Sequence, residues 1–165
     1  LGLGAESLAV ELASNDGYLL QHFAPLGVPA LGVELAANVA KAAEAKGVST
    51  RVDFFGRRLA QALKAGGRQA DLIIGNNVLA QVPDLNDFVG GMQILLKPEG
   101  VVTLEFPHLA RLMAENQFDT IYHEHFSYFS GLTIAHMVER HGLKFFDVER
   151  LSTHGGSQPS APIAL

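Results

Sequence analysis

Residues 10–17 constrain the fold of this 165-residue chain more than any other stretch. An apolar run, residues 8–12, ends abruptly in the turn Ser-Asn-Asp-Gly at 14–17, and a run with helical character follows at once. A buried strand, a tight turn and a helix in this order are typical of the first βα unit of a nucleotide-binding α/β fold. The turn is therefore a candidate ligand cradle.

Glycine spacing and one acid indicate which ligand the turn would hold. The dinucleotide fingerprint requires glycines at three spaced positions, where this chain has Ala13, Asn15 and Gly17, so NAD is disfavoured. Glu34 ends the next apolar run at about the 20-residue interval expected of a ribose-binding acid. These features predict S-adenosylmethionine as the cofactor. The alternative is that Ser-Asn-Asp-Gly is merely a tight turn.

Composition and charge exclude several classes of protein. A content of 48% hydrophobic and 18% charged residues favours one compact α/β domain over a disordered or coiled-coil chain. The net charge of -5, with scattered Lys and Arg, argues against a nucleic-acid or anionic-membrane partner. The chain has no cysteine, so disulfides and Cys-based zinc sites are excluded, and we expect no metal site. No apolar run is long enough for a membrane helix, and we expect a cytoplasmic protein.

Apolar and amphipathic runs alternate along the chain and predict an α/β fold with a doubly wound, mostly parallel sheet. Strands are expected at 8–13, 29–34, 48–52, 70–75, 101–106 and 143–151, and helices at 17–25, 36–46, 57–65, 85–96, 109–116 and 132–141. Ligands in such sheets bind outside the carboxyl ends of the strands, so these ends should converge. The expected cofactor-binding residues are Glu11, Ala13, Ser14, Asn15, Asp16, Gly17, Glu34, Asp53, Phe54, Phe55, Asn76 and Asn77.

Several longer motifs of the sequence resemble those of one enzyme family. They are Glu-Leu-Ala-Ser-Asn-Asp-Gly-Tyr-Leu-Leu at 11–20, Gly-Asn-Asn-Val-Leu-Ala at 75–80, Glu-Phe-Pro-His at 105–108, Gln-Phe-Asp-Thr-Ile-Tyr-His-Glu-His-Phe-Ser-Tyr-Phe at 117–129 and His-Gly-Gly-Ser at 154–157. They resemble the sugar C-methyltransferases, which use S-adenosylmethionine to methylate a ring carbon of nucleotide-linked deoxy-keto sugars. The chain departs from the family pattern at Leu35, Gln81 and Gln158-Pro159.

The resemblance implies a class I methyltransferase (Rossmann-like) domain at residues 1–151, followed at 152–165 by a tail that begins a truncated C-terminal region. It also implies partner domains on both sides, one of them a cysteine-rich zinc-binding domain, both absent from this chain. In this fold the final strand normally inserts antiparallel between strands five and six. Because Pro159 and Pro162 each lack a donor that an interior strand uses, we expect the tail not to complete the sheet.

Methylation of a carbon next to a ketone requires a base that removes the α-proton and a donor that holds the enolate oxygen. Histidine suits the base because its ordinary pKa of about 6.5 is close to operating pH. The resemblance assigns the base to His125; Tyr122 would donate to the enolate oxygen, and Glu124 would orient a histidine or hold a sugar hydroxyl. An extended segment would separate Tyr122 from His125, whereas helical spacing would bring them together. The expected substrate-binding residues are Glu105, His108 and His123.

Two other functions remain open at this stage. In an O- or N-methyltransferase acting on another small molecule, the same histidine would deprotonate a hydroxyl group. The third reading is a fragment that binds the cofactor or a partner without catalysis. Turnover of a keto sugar would separate these possibilities.

Overall fold

The computed structural model describes residues 1–149 and 158–164. The strands in these residues are β1 (Ala9–Leu12), β2 (Ala30–Glu34), β3 (Thr50–Val52), β4 (Ala70–Asn76), β5 (Leu96–Phe106), β6 (Lys144–Phe145) and β7 (Gln158–Ala164). The helices are α1 (Ala37–Ala45), α2 (Arg57–Ala65), α3 (Leu85–Leu95), α4 (Leu109–Ala114) and α5 (Gly131–Arg140). The strands form one sheet in the order β3-β2-β1-β4-β5-β7-β6. Strands β1 to β5 are parallel, which confirms the predicted doubly wound α/β fold.

Apolar side chains cover both faces of the sheet at its centre. Val10 and Leu12 belong to a core cluster that continues through helices α2, α3 and α5. Ala9, which alternates with them, belongs to a second cluster closed by partly buried residues such as Leu19 and Phe23. All four residues of β1 are buried. This two-sided burial, typical of parallel sheets, fixes the strand ends that carry the predicted site.

The segment after the first turn is not the expected helix. Residues 17–25 instead contain the 3-10 turn Leu20–His22, and a second turn, Ala24–Leu26, follows. Pro25 has no N–H for a helical ladder and disfavours helical geometry at the residue before it. Gly27, at φ 69°, ends the second turn. No regular helix therefore begins at the candidate cradle.

β7 corrects the expectation for the end of the chain. It runs antiparallel to β5 and β6 and lies between them, with Ala161 opposite Leu104 and Ile163 opposite Phe145. The prediction that the tail leaves the sheet incomplete is therefore wrong.

The pairing of β5 with β7 accommodates the first of the two prolines. Leu104 and Phe106 pair with Ala161 and Gln158, so two steps along β5 match three steps along β7. The extra residue on β7 makes a bulge within Pro159–Ser160. A proline is tolerated there because the ladder is already interrupted.

The second proline lies where β7 has a neighbour on one side only. Pro162 is opposite Thr103 of β5, whereas β6 pairs only with Ile163 and Ala164. The N–H of a strand residue points to one side of the strand, so a proline fits when its nitrogen faces the side without a partner.

β6 is shorter than the strand expected at 143–151. The Asp147 carboxylate accepts the N–H of Val148 at 2.8 Å, a local bond that competes with strand pairing, and Phe146 and Val148 are exposed. The His-Gly-Gly-Ser word at 154–157 and the predicted boundary at 151–152 lie outside the described residues.

The remaining elements have their predicted types, and most of their ends are shifted. The largest shift is at β5, which begins at Leu96 directly after α3, so the expected loop Lys97-Pro98-Glu99-Gly100 belongs to the strand. The register of β4 on β5 shifts in this region. In the part of the chain that the structure describes, no helix is long and apolar enough to cross a membrane.

Amide hydrogen exchange tests the position of β7. We expect that, in a chain ending at residue 157, those amides of Val101–Leu104 that face β7 exchange at least about tenfold faster than in the full chain, because they lose their partner strand, whereas the amides that face β4 keep theirs. The amides of β1, which lies between β2 and β4, serve as the internal control and should keep their protection. Equal exchange of β5 in both chains would contradict the pairing.

Candidate active site

The turn after β1 is built from left-handed backbone conformations. Ala13, Asn15 and Gly17 have φ values of 56°, 50° and 73°. Alanine rarely adopts this conformation, whereas asparagine tolerates it. The Asn15 side-chain amide donates to the Ala13 carbonyl at 3.1 Å, and Gly17 N–H donates to the Ser14 carbonyl at 3.0 Å. These bonds stabilise a turn that exposes backbone at the carboxyl end of β1.

Close packing fixes the same turn against β2. Ser14 is fully buried, and its N–H donates to the Val33 carbonyl at 3.2 Å. A Cβ atom on Gly32 would lie 2.4 Å from Ser14 Oγ, so only glycine allows this approach. The carboxyl ends of β1 and β2 are therefore held in one arrangement.

Glu34 joins these two strand ends through its carboxylate. Oε2 accepts the N–H of Asn15 at 3.1 Å, and Oε1 accepts the N–H of Ala36 at 2.8 Å. Each carboxylate oxygen has two lone pairs, so each retains capacity for a further donor such as a hydroxyl group. The side chain is thus oriented before any ligand binds.

A cleft of about 420 Å³ opens beside Glu34. This volume lies in the range of small-molecule sites. Five of the predicted cofactor residues line it, namely Ala13, Glu34, Asp53, Phe54 and Phe55. The structure therefore brings together the ends of β1, β2 and β3 as predicted.

The two phenylalanines after β3 have different environments. Phe55 packs edge-on against Phe88, with ring centroids 5.4 Å apart, whereas Phe54 is 70% exposed. Asp53 lies between β3 and the two phenylalanines and stabilises the backbone there. Its Oδ1 accepts the Phe54 N–H at 2.9 Å and an Arg58 N–H at 2.5 Å. Phe55 is thus a packing residue in the lining of the cleft, whereas Phe54 presents an exposed ring there.

Other predicted cofactor residues do not line the cleft. The Asp16 carboxylate faces Lys46 at 2.5 Å, and the hydrogen bond from Lys46 lowers the pKa of Asp16. Asn76 pairs with Glu105 on β5, and the Asn77 N–H donates to the Glu105 carbonyl at 2.9 Å. These residues position the backbone at the ends of β1, β4 and β5.

The segment that carries the predicted base folds into a turn. His125 N–H donates to the Tyr122 carbonyl at 3.0 Å, and the two rings lie 4.2 Å apart between centroids. Neither of the two geometries considered from sequence is present as a regular element. The turn nevertheless brings Tyr122 and His125 together, as helical spacing would.

A backbone carbonyl sets the tautomer of His125. Nδ1 lies 3.0 Å from the Thr120 carbonyl oxygen, which accepts only, so Nδ1 carries the hydrogen. The lone pair of the neutral ring is then on Nε2. His123 and Glu124 are exposed, and within the described residues no hydrogen bond joins Glu124 to a histidine. The Thr120 carbonyl therefore orients the His125 ring in this structure.

The His125 segment is tied to the cleft through a short 3-10 turn, Leu79–Gln81. The Ala80 carbonyl accepts the N–H groups of Phe126 at 2.8 Å and Ser127 at 3.3 Å. Gln81, the next residue, lines the cleft. The His125 segment and the cleft are therefore attached to adjacent residues of one turn.

His108 lies at the other end of the base segment. It forms an isolated β-bridge with Phe129, whose carbonyl accepts the Leu109 N–H at 2.8 Å. The Nε2 atom of His108 accepts the Gly131 N–H at 3.4 Å. The Phe129 ring packs edge-on against Phe106 of β5, with centroids 5.9 Å apart. The end of β5 thus anchors the segment from 122 to 129.

Comparison with known proteins identifies the family. Residues 6–148 match a family model described as a methyltransferase domain. The chain belongs to the methyltransferase family.

Relatives and solved structures agree with this assignment. The C-methyltransferase NovU of Streptomyces niveus is 38% identical over 157 residues, which is 95% of this chain. The chain spans only 37% of the length of that relative.

The fold also matches solved methyltransferases at low sequence identity. Magnesium protoporphyrin IX methyltransferase from Synechocystis, solved with bound SAH, has a TM-score of 0.75 at 15% identity over 99% of this chain and 75% of its own. A SAM-dependent methyltransferase from Archaeoglobus fulgidus has a TM-score of 0.73 at 15% identity over 92% of this chain and 66% of its own. These matches confirm the class I methyltransferase fold.

Sequence reasoning missed the part of the methyltransferase cleft that follows β4. Val78, Gln81, Val82, Asp84 and Asp87 line it. Asp84 caps α3 by accepting the Asp87 N–H at 3.0 Å, a spacing that can be read from sequence. The only signal at Gln81 was its departure from the family pattern. Among the described residues, no group of three or more acids and histidines is placed to hold a metal.

Glu11 is a buried carboxyl group within the sheet of the methyltransferase domain. It is 2% exposed, lies between Gly32 and Ile74 of the neighbouring strands, and its Oε2 has no hydrogen-bond partner in the described part of the chain. Burial raises its pKa from 4.5 to about 7. Unfolding between these two pH values releases a proton, so native stability falls as pH rises through this window.

Glu11→Gln tests this linkage. The shift from 4.5 to about 7 corresponds to at most about 3 kcal/mol. We expect urea denaturation to show that, between pH 4.5 and 7, the free energy of unfolding of the wild type falls relative to that of the variant by up to this amount. Glu99→Gln, at an exposed carboxyl group on β5, is the control and should follow the wild type. Parallel pH profiles for wild type and Glu11→Gln would contradict a raised pKa.

Proposed function

We propose that this methyltransferase domain binds S-adenosylmethionine and methylates a ring carbon of a nucleotide-linked deoxy-keto sugar. The observation that carries the proposal is the hydrogen bond between His125 Nδ1 and the Thr120 carbonyl, because it leaves Nε2 as a base. Two similarities support the same chemistry. The 117–129 segment resembles the sugar C-methyltransferases, and the chain is 38% identical in sequence to a C-methyltransferase.

The cleft fits S-adenosylmethionine. Glu34 offers a preoriented carboxylate to the two ribose hydroxyl groups, and exposed Phe54 and Leu35 offer apolar surface for the adenine ring. The left-handed turn around Asn15, which is bonded to Glu34, would lie beside the methionine part. When bound, the cofactor supplies an electrophilic methyl group.

His125 would accept the α-proton of the keto sugar at Nε2. The proton makes the ring a cation, and the Nδ1–H bond to the Thr120 carbonyl then becomes a charge-assisted bond that stabilises it. General-base assistance of this kind contributes about 10²–10⁴-fold to a rate. The lone pair left on carbon is the nucleophile for methylation.

Tyr122 is the proposed donor to the enolate oxygen. Its ring contacts that of His125, so the donor and the base would act on adjacent atoms of one substrate. A preorganised donor of this type is worth about 3 kcal/mol of barrier. The proposed contacts to the sugar are Glu105, His108, His123 and Glu124. We also propose that the substrate carries a nucleotide and that flanking domains of a longer protein are partners of this domain.

Calorimetry of S-adenosylhomocysteine binding tests the cofactor site. We expect Glu34→Ala to weaken binding by about 1–3 kcal/mol, because a charge-assisted hydrogen bond is lost and its partners remain unpaired. Glu44→Ala, at an exposed glutamate on α1, is the matched control and should leave affinity unchanged. Unchanged affinity of Glu34→Ala would remove Glu34 from the site.

Exchange of the substrate's α-proton with solvent deuterium tests the base. In a chain that includes its flanking domains, His125→Ala should abolish this exchange with a nucleotide-linked keto sugar, while cofactor binding persists. His136→Ala, at an exposed histidine on α5, is the control and should exchange normally. Exchange at the normal rate in His125→Ala would place the base elsewhere, with His108 and His123 as the next candidates.

A further inference from the structure

The Thr120 carbonyl is contacted by two side chains of the His125 segment. His125 Nδ1 lies 3.0 Å from its oxygen, and the Tyr128 hydroxyl donates to the same oxygen at 3.4 Å. A carbonyl oxygen has two lone pairs, so it can accept from both donors at once. The Tyr128 ring also packs edge-on against the His125 ring, with centroids 5.8 Å apart. The orientation of the His125 ring therefore depends on the direction of one backbone carbonyl.

The side chain of Thr120 fixes the direction of that carbonyl. Its Oγ1 donates to the Gln117 carbonyl at 2.6 Å, and its N–H donates to the same oxygen at 3.3 Å. The first distance is that of a good O–H···O bond, whereas the second lies beyond the usual range for N–H···O. The hydroxyl group therefore supplies most of the restraint on the 117–120 turn.

Gln117, which accepts both bonds, is attached to helix α4. Its N–H donates to the Leu112 carbonyl at 3.0 Å, and its Nε2 donates to Glu115 Oε2 at 2.6 Å. Leu112 is buried in the domain. A continuous path of hydrogen bonds thus runs from α4 through the Thr120 hydroxyl to the ring of His125.

This path bears on two properties that a base at His125 needs. A neutral histidine carries its hydrogen on either ring nitrogen, and only the Nδ1–H tautomer leaves a lone pair on Nε2. Once Nε2 has taken a proton, the bond from Nδ1–H to the carbonyl becomes charge-assisted and stronger. A carbonyl that keeps its direction therefore favours both the reactive tautomer and the protonated product of the step.

We propose that Thr120 is a positioning residue for the base, because its hydroxyl group holds the turn that keeps the hydrogen of His125 on Nδ1. This inference rests on the proposed function, in which Nε2 of His125 removes the α-proton. Without the hydroxyl group the carbonyl is free to turn away from the ring. His125 would then populate the Nε2–H tautomer, which has no lone pair for the substrate proton.

Nitrogen-15 NMR of the histidine rings tests the tautomer without any substrate. At about pH 8, above the ordinary pKa of histidine, we expect His125 to be mainly in the Nδ1–H form, with its signal assigned by its loss in His125→Ala. Thr120→Val keeps the side-chain shape and should lower the ratio of Nδ1–H to Nε2–H about fivefold, the equivalent of one ordinary hydrogen bond. Thr120→Ser retains the hydroxyl group and should retain the ratio. Thr103→Val, at a half-buried threonine within β5, is the matched control.

Exchange of the α-proton of a nucleotide-linked keto sugar tests the effect on catalysis, in a chain that includes its flanking domains. We expect Thr120→Val to lower the exchange rate at saturating sugar by about tenfold, because part of the general-base assistance is lost. The acid limb of its pH profile should move to lower pH, because the protonated ring loses an aligned acceptor. The affinity for S-adenosylhomocysteine should not change, and Thr120→Ser should retain the rate and the limb of the wild type.

The outcomes separate this inference from the proposed function. A wild-type tautomer ratio in Thr120→Val, or equal losses in Thr120→Val and Thr120→Ser, would overturn the role of the hydroxyl group and leave the proposed function intact. A changed ratio with wild-type exchange would show that Thr120 does not position the base. Exchange that is absent from the wild type, or that survives in His125→Ala, would overturn the proposed function and this inference together.

Discussion

The site depends on the carboxylate of Glu34, which bonds the backbone at the ends of two neighbouring strands. One oxygen accepts from Asn15 and the other from Ala36, so the side chain fixes the turn after β1 relative to the start of α1. The contact between Ser14 and Gly32 allows this arrangement by bringing the two strands within reach. The cleft is the space that remains beside this joint. Its shape is therefore set by backbone hydrogen bonds and close packing before any ligand binds.

The catalytic and cofactor halves of the proposed site are mechanically connected. Ala80 bonds the segment that carries His125, and Gln81 directly after it faces the cleft. Leu79 fixes the turn in the core. Because both halves are attached to this turn, the proposed base and the cleft share one support. Such preorganisation matters for catalysis, since small displacements of a base from its proton are costly.

The sequence predicted the features that depend on local pattern, and failed where a feature depends on distant residues. Apolar runs indicated strands β1 to β5, and the interval from the turn indicated Glu34. The bulge that accommodates Pro159 arises from pairing with β5, more than 50 residues away in the sequence, so the prolines alone suggested the wrong outcome. The contact of the Thr120 carbonyl with His125 could not be predicted either, because every residue has a carbonyl group and only the fold determines which one meets the histidine. The cleft residues after β4 lie in a turn, where no periodic pattern indicates which side chains face a ligand.

The strand order also dictates the sequence of events during synthesis. β7 lies between β5 and β6 but follows both in the chain, so β6 has no place in the sheet until β7 has left the ribosome. Until then the edge of β5 presents unpaired N–H and carbonyl groups, and β6, which contacts α5, is not yet joined to the sheet. A nascent chain at this stage is exposed to edge-to-edge association with other strands. The proposed base segment, which is anchored at the end of β5, would therefore reach its final environment only late in biosynthesis.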